Sequence, residues 1–145
     1  MNRLFFDTSA LVKRYYEEPG TETVDTLIQG ESTVVISSLA VVETVSAFRR
    51  RYNRDGISEL RMNRLLSAFF EEALAEFVIL PMDESAFQFS FSLVLEHNLR
   101  TLDSLQLSAA LTVDTEDKPV TFVSADTELV ATADANGLTT VNPDE

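Results

Sequence analysis

Four carboxylates stand in stretches of chain that are otherwise apolar or small. Asp7 interrupts LFFDTSALV and is the only charge between Arg3 and Lys13. Glu43 is alone in SSLAVVETVSAF, residues 37–48, and Asp103 is alone in TLDSLQLSAALTV, residues 101–113. Asp126 follows the apolar run VTFVSA. An isolated buried carboxylate is costly, so a chain that keeps one pairs it with a base, protonates it or sets it on a metal ion. Bases are scarce near these four segments. Hard cations such as Mg2+ and Mn2+ favour oxygen donors, and a cluster of carboxylates with water is their usual seat. Such a centre activates water and stabilises the charge of a phosphoryl transition state. A plainer reading stands beside this one. Asp7 and Asp126 could be helix N-caps and Asp103 a first-turn acid. Glu43 fits that reading less well, because on a helix it shares a face with Leu39, Ala40, Ser46 and Ala47.

The elements that must hold these acids alternate. RLFF, STVVIS, FVILP, VTFVS and LTTVN read as five short strands. Between them lie helical runs. SALVKRYYEE stops at Pro19-Gly20, TETVDTLIQG ends at Gly30, and SLAVVETVSAFRRRYNRDG stops at a glycine. SELRMNRLLSAFFEEALAE follows a Ser cap, and DESAFQFSFSLVLEHN starts at a capping Asp83 and ends near the exposed His97. TLDSLQLSAALTV and DTELVATADANG complete the set. Strands alternating with helices imply right-handed crossovers and a parallel sheet covered on both faces. Sites in such sheets form at the carboxyl ends of strands, where Asp7 and Asp126 fall.

Composition sets further bounds. The 145 residues fit one domain, expected to span 1–145, and the apolar fraction of 45% supports a packed core. No cysteine is present, which excludes disulfides and thiolate metal sites. Neither a membrane-spanning run nor a secretory pattern is found, so a cytoplasmic location without membrane attachment is expected. The net charge of −13 is uneven: residues 1–64 carry nine basic and nine acidic groups, residues 65–145 two basic and fifteen acidic. Bulk attraction to nucleic acid is excluded, and a local basic band or bound cations would have to supply it. Six of the eleven basic residues lie between Arg49 and Arg64. In RRRYNR, Arg49 and Arg50 are candidate phosphate contacts and Tyr52 a candidate base-stacking residue, against the plainer reading of a solvated helix end. In KRYYEE, Tyr15 and Tyr16 either receive a partner helix or divide between core and rim.

Four segments, FFDTSALVKRYYEEPG, VVISSLAVVETVSAFRR, LRTLDSLQLSAAL and FVSADTELVATADANGLTTVNP, together resemble the signature segments of PIN-domain ribonucleases. More narrowly they resemble VapC-type toxins, over a span from Leu4 to Pro143. The resemblance places the family's acids on Asp7, Glu43, Asp103 and Asp126, as metal-holding and catalytic residues. Thr8, Ser9 and Ser124 match hydroxyl positions that would fix carboxylate orientation. Gln106 stands where the family often has His, a departure without expected cost, because that His is not a metal ligand there. The resemblance implies a three-layer α/β/α sandwich with a mostly parallel five-stranded sheet, and Mg2+- or Mn2+-dependent hydrolysis of RNA. It also implies a homodimer and an antitoxin protein partner that reaches the acidic site with a basic side chain. Two alternatives stay open: an inactive PIN fold that binds RNA or protein, and a non-toxin nuclease of RNA maturation. A haloacid-dehalogenase-type phosphatase would need an acid at position 9, where this chain has Ser9.

Overall fold

The computed structural model describes residues 2–145; Met1, the first residue of the expected domain, lies outside them. Five strands are present: β1 (Arg3–Phe6), β2 (Thr33–Ser37), β3 (Val78–Leu80), β4 (Val120–Val123) and β5 (Thr139–Val141). They form one sheet in the order β3-β2-β1-β4-β5, and every pairing is parallel. Among the described residues, seven α-helices connect the strands: α1 (Thr8–Leu11), α2 (Thr21–Gln29), α3 (Ser38–Arg54), α4 (Glu59–Glu76), α5 (Ser90–His97), α6 (Thr101–Val113) and α7 (Thr127–Ala135).

Successive strand residues point to opposite faces, so a doubly covered strand must be apolar throughout. Leu4, Phe6, Val34, Ile36 and Val123 enter one core with Leu11, Val24, Phe48, Leu65 and Phe69 from α1 to α4. Phe5, Val35, Val120 and Phe122 enter the other with Leu93, Leu107, Leu129 and Ala133 from α5 to α7. Phe5 and Phe122 stack across adjacent strands with ring centroids 5.9 Å apart. Two apolar layers on one sheet make the three-layer sandwich expected from the alternation. No described helix is long and apolar enough to cross a membrane.

Two expected helices are broken. SALVKRYYEE gives only α1 and a 3-10 turn, Val12–Arg14. The Lys13 carbonyl accepts from the Thr21 hydroxyl at 2.8 Å, and Tyr15 and Tyr16 both donate to the Val12 carbonyl. The run from Asp83 gives a 3-10 turn, Ser85–Phe87, before α5. Asp83 caps that turn, not the helix, by accepting from the Ala86 amide at 3.2 Å. Buried Ser108 donates to the Ala86 carbonyl and accepts from the Phe89 amide, which fixes the break.

Helices α3 and α4 keep their expected lengths because each has a serine cap. Ser37 and Ser58 accept from the amides of Ala40 and Arg61. Beyond α1, buried Lys13 pairs with Glu18 and Asp144 at 2.9 and 3.2 Å, tying the chain's end to the loop that follows the first motif.

Candidate active site

The chain fills the sheet outward from β1, first through β2 to β3, then back to β4 and β5. The direction reverses between β1 and β4, and a crevice opens at their carboxyl ends. Asp7 is the residue after β1, and its amide extends the ladder by donating to the Val123 carbonyl at 3.1 Å. Asp126 follows β4 and caps α7, accepting from the amides of Glu128 and Leu129. Asp103 lies in the first turn of α6, and Glu43 one turn into α3. Strand ends and helix starts therefore deliver all four acids to one pocket of about 500 Å³. Leu39, Ser46 and Ala47, the small face that accompanies Glu43 on α3, form its wall.

Asp7 is the buried acid of the set, with 5% of its surface exposed. Ser9 donates to Oδ1 at 2.7 Å and Ser124 donates to Oδ2 at 3.0 Å, while the Ala10 amide donates to Oδ1 at 3.2 Å. Each serine oxygen is in turn held by an amide, Ser9 by Ala125 and Ser124 by Asp126. The carboxylate is thus fixed through both oxygens. Burial nevertheless pushes its pKa up to about 7, against the lowering effect of those donors, and Asp103 adds repulsion. Asp103 is raised as well, first by burial, then by the charges of Asp126 and Glu43. Among the described residues, none of the four acids has an ion-pair partner.

Glu43 is held differently. Its Oε1 accepts from the Thr8 hydroxyl at 2.9 Å and from the Gln106 amide at 2.8 Å. Gln106 is 2% exposed. Position 106 carried little weight in the sequence, yet its side chain touches two site residues. The available signal was an amide set among the buried residues of α6, Ser104 to Ala110.

The family model for the PIN domain matches residues 4–136. The chain belongs to the PIN-domain family. Among curated proteins, none matches this sequence. Solved structures share the fold at low identity. FitAcB from Neisseria gonorrhoeae is 20% identical with TM-score 0.70, covering 97% of each chain. VapC20 from Mycobacterium tuberculosis, described as a sarcin-ricin loop cleaving toxin, is 15% identical with TM-score 0.69, covering 97% of this chain and 99% of its own. A toxin–antitoxin complex from Klebsiella pneumoniae is 17% identical with TM-score 0.63, covering 97% of each chain. The matched family span ends before β5, which pairs with β4 and so completes the sheet of this PIN domain.

The donors of the PIN-domain pocket fit a hard divalent cation by chemistry. They are carboxylate and hydroxyl oxygens, and Asp7, the buried carboxylate among them, is paired with no basic side chain among the described residues. They do not make a closed cage: among the described residues, no three acids form a group ready to hold a metal ion. The acids line the walls of an open pocket.

Of the expected RNA contacts, Arg50 lines the acid pocket and bonds Ser46 at 2.9 Å. It also lines an adjoining cleft of about 250 Å³ with Arg51 and Arg54. Arg49 and Tyr52 are absent from that lining and pair with each other, the guanidinium 4.9 Å from the ring centre. The tyrosines of the first motif do not form an open aromatic pair. Tyr15 packs edge-on against Phe48 and Phe69 and donates to Glu72. Tyr16 is covered by the guanidinium groups of Arg51 and Arg61.

Proposed function

We propose that this PIN domain is a divalent-cation-dependent endoribonuclease, the toxin of a toxin–antitoxin pair, acting in the cytoplasm. The observation that carries the reading is Asp7, a carboxylate buried at the crevice of a parallel sheet, fixed by two serines and partnered by no base among the described residues. Three further acids line the same pocket. Asp7, Asp103 and Asp126 would hold Mg2+ or Mn2+, with Glu43 joining directly or through water. The cation would supply an activated water and a counter-charge for the phosphoryl transition state. Ser9 and Ser124 keep both Asp7 oxygens in fixed directions. Glu43 presents an oriented carboxylate to the attacking water. Arg50, at the rim, takes a phosphate oxygen of the strand, a local positive charge on a chain of net charge −13.

Cleavage of total RNA with Mn2+, with and without chelator, and sequencing of the cut ends tests this reading. Metal-dependent cuts at a restricted set of sites support it; intact RNA in the presence of Mn2+ overturns it. Arg50→Glu is expected to reduce the slope of log affinity against log salt by about one phosphate contact. An unchanged slope removes Arg50 from the RNA path.

The partners follow from the same reading. The toxin–antitoxin complex with this fold supports an antitoxin partner, and the acidic pocket would suit a basic side chain from it. A homodimer is supported by exposed apolar side chains clustered on α5 and the start of α6: Phe91, Val94, Leu95 and Leu102. A monomeric mass in solution, unchanged by concentration, would reject it.

A further inference from the structure

A chain of hydrogen bonds runs behind Glu43, and its direction can be read donor by donor. The Ala40 amide donates to the Ser37 hydroxyl at 3.1 Å. Ser37, fully buried, is left with one proton, and gives it to Oε1 of Gln106 at 2.9 Å. That fixes which end of the amide is oxygen. The reversed amide would set a carbonyl oxygen against the Glu43 carboxylate and an amino group against the Ser37 proton. Nε2 of Gln106 has two protons. One goes to Oε1 of Glu43 at 2.8 Å, the other to the Thr8 hydroxyl at 3.2 Å. Thr8, having accepted, gives its own proton to the same Glu43 oxygen at 2.9 Å. Each hydroxyl and amide proton in the chain thus has one destination.

We propose that Gln106 is a positioning residue: with Thr8 it commits one oxygen of Glu43 to the protein and leaves the other, Oε2, to work in the pocket. Glu43 then acts through a single oxygen of defined direction. The inference rests on the nuclease reading for its consequence, and on the hydrogen-bond chain for its geometry. Its chemical requirement is an acceptor toward Ser37 and a donor toward Glu43 on one side chain. Glutamine meets it, and so does a neutral imidazole, which carries one acceptor nitrogen and one donor nitrogen. Methionine has similar length and neither function.

Gln106→Met is expected to lower kcat for RNA about 10- to 100-fold with KM for RNA little changed. The same variant weakens Mn2+ binding to the RNA-free protein, measured by calorimetry. Gln106→His restores both. In a Glu43→Gln background, Gln106→Met costs nothing further, because it acts only through Glu43. Wild-type kcat and Mn2+ affinity in Gln106→Met overturn the proposal, as does equal loss in the Met and His variants. Should Gln106→Met fail to fold, Thr8→Val removes the other donor from a half-buried position, with Thr8→Ser as the rescue. A parent protein that leaves RNA intact overturns the nuclease reading alone, and the calorimetry still decides the role of Gln106.

Discussion

Replacing Asp7 by Asn is expected to cut the proposed RNA hydrolysis by about a thousandfold and at the same time to stabilise the metal-free protein at pH 8. The two effects have one cause. Asn keeps the shape and most of the bonds. Its carbonyl oxygen accepts from Ser9 and the Ala10 amide as Oδ1 does now, and its amino group reaches the Ser124 oxygen that now donates to Oδ2. What is removed is a negative charge in a buried place, where burial already pushes the carboxyl up to about 7. Ionising that group at pH 8 costs folding free energy, and the substitution returns roughly 2 kcal/mol of it. The charge is also what draws a cation to the crevice, so kcat falls on the order of a thousandfold. Damage to the fold would lower both quantities together. A gain in melting temperature with loss of turnover marks a residue kept for chemistry at the expense of stability. Unaltered cleavage, or a lower melting temperature at pH 8 without metal, would remove Asp7 from the centre of the site.

How far such a site can be read from the chain depends on what each residue's neighbours in sequence reveal. The strands announced themselves, because a strand covered on both faces must be apolar at every position, as LFF and VVI are. The long α3 and α4 were legible from serine caps and spacing. The helices that broke did so through distant partners. Thr21 holds the Lys13 carbonyl where the first one stops, and Ser108 holds the run after Asp83 at its break, and neither bond leaves a local trace. The acids stood out as charges in apolar runs. Asp7 and Asp126 each cap a helix and also line the pocket, so capping does not take either of them out of the crevice. Tyr16 could be read as a partner contact or as rim and Tyr52 as a base-stacking residue or a solvated helix end; the arginines over them are Arg51 of α3 and Arg61 of α4 for Tyr16 and Arg49, on the same helix, for Tyr52. Gln106 was the least visible. An amide in a helix reveals its purpose only through what it touches, and its partners Ser37, Thr8 and Glu43 come from three other segments.

The second large effect lies in how pH and metal act on the same carboxylates. Asp7 has its folded pKa raised from 3.8 to about 7. Below pH 4 it is protonated in both states and costs nothing. Between pH 4 and 7 the unfolded chain releases the proton while the folded one keeps it. Stability therefore falls as pH rises, by about 1.4 kcal/mol per pH unit from this group, and levels off above 7. Asp103, raised by burial and by Asp126 and Glu43, acts with the same sign. Glu72, lowered chiefly by Arg14, and Asp83, lowered by Ser85, act with the opposite sign, but their effect lies below their ordinary values and leaves the window from pH 5 to 7 to the pocket. A divalent cation competes with protons for these oxygens, so its apparent affinity drops ~10-fold for each pH unit below 7. Millimolar Mn2+ should raise the melting temperature clearly at pH 8, where the repelling charges are fully developed, and barely at pH 5, where Asp7 holds its proton. In Asp7→Asn the downward slope between pH 5 and 7 flattens and the Mn2+ effect at pH 8 is lost. Equal Mn2+ shifts at both pH values would mean that the cation binds elsewhere on an acidic surface. A metal-free slope indifferent to Asp7→Asn would mean that its carboxylate is already at ease in the fold. Either result would leave the four acids without the shared strain that makes them a site.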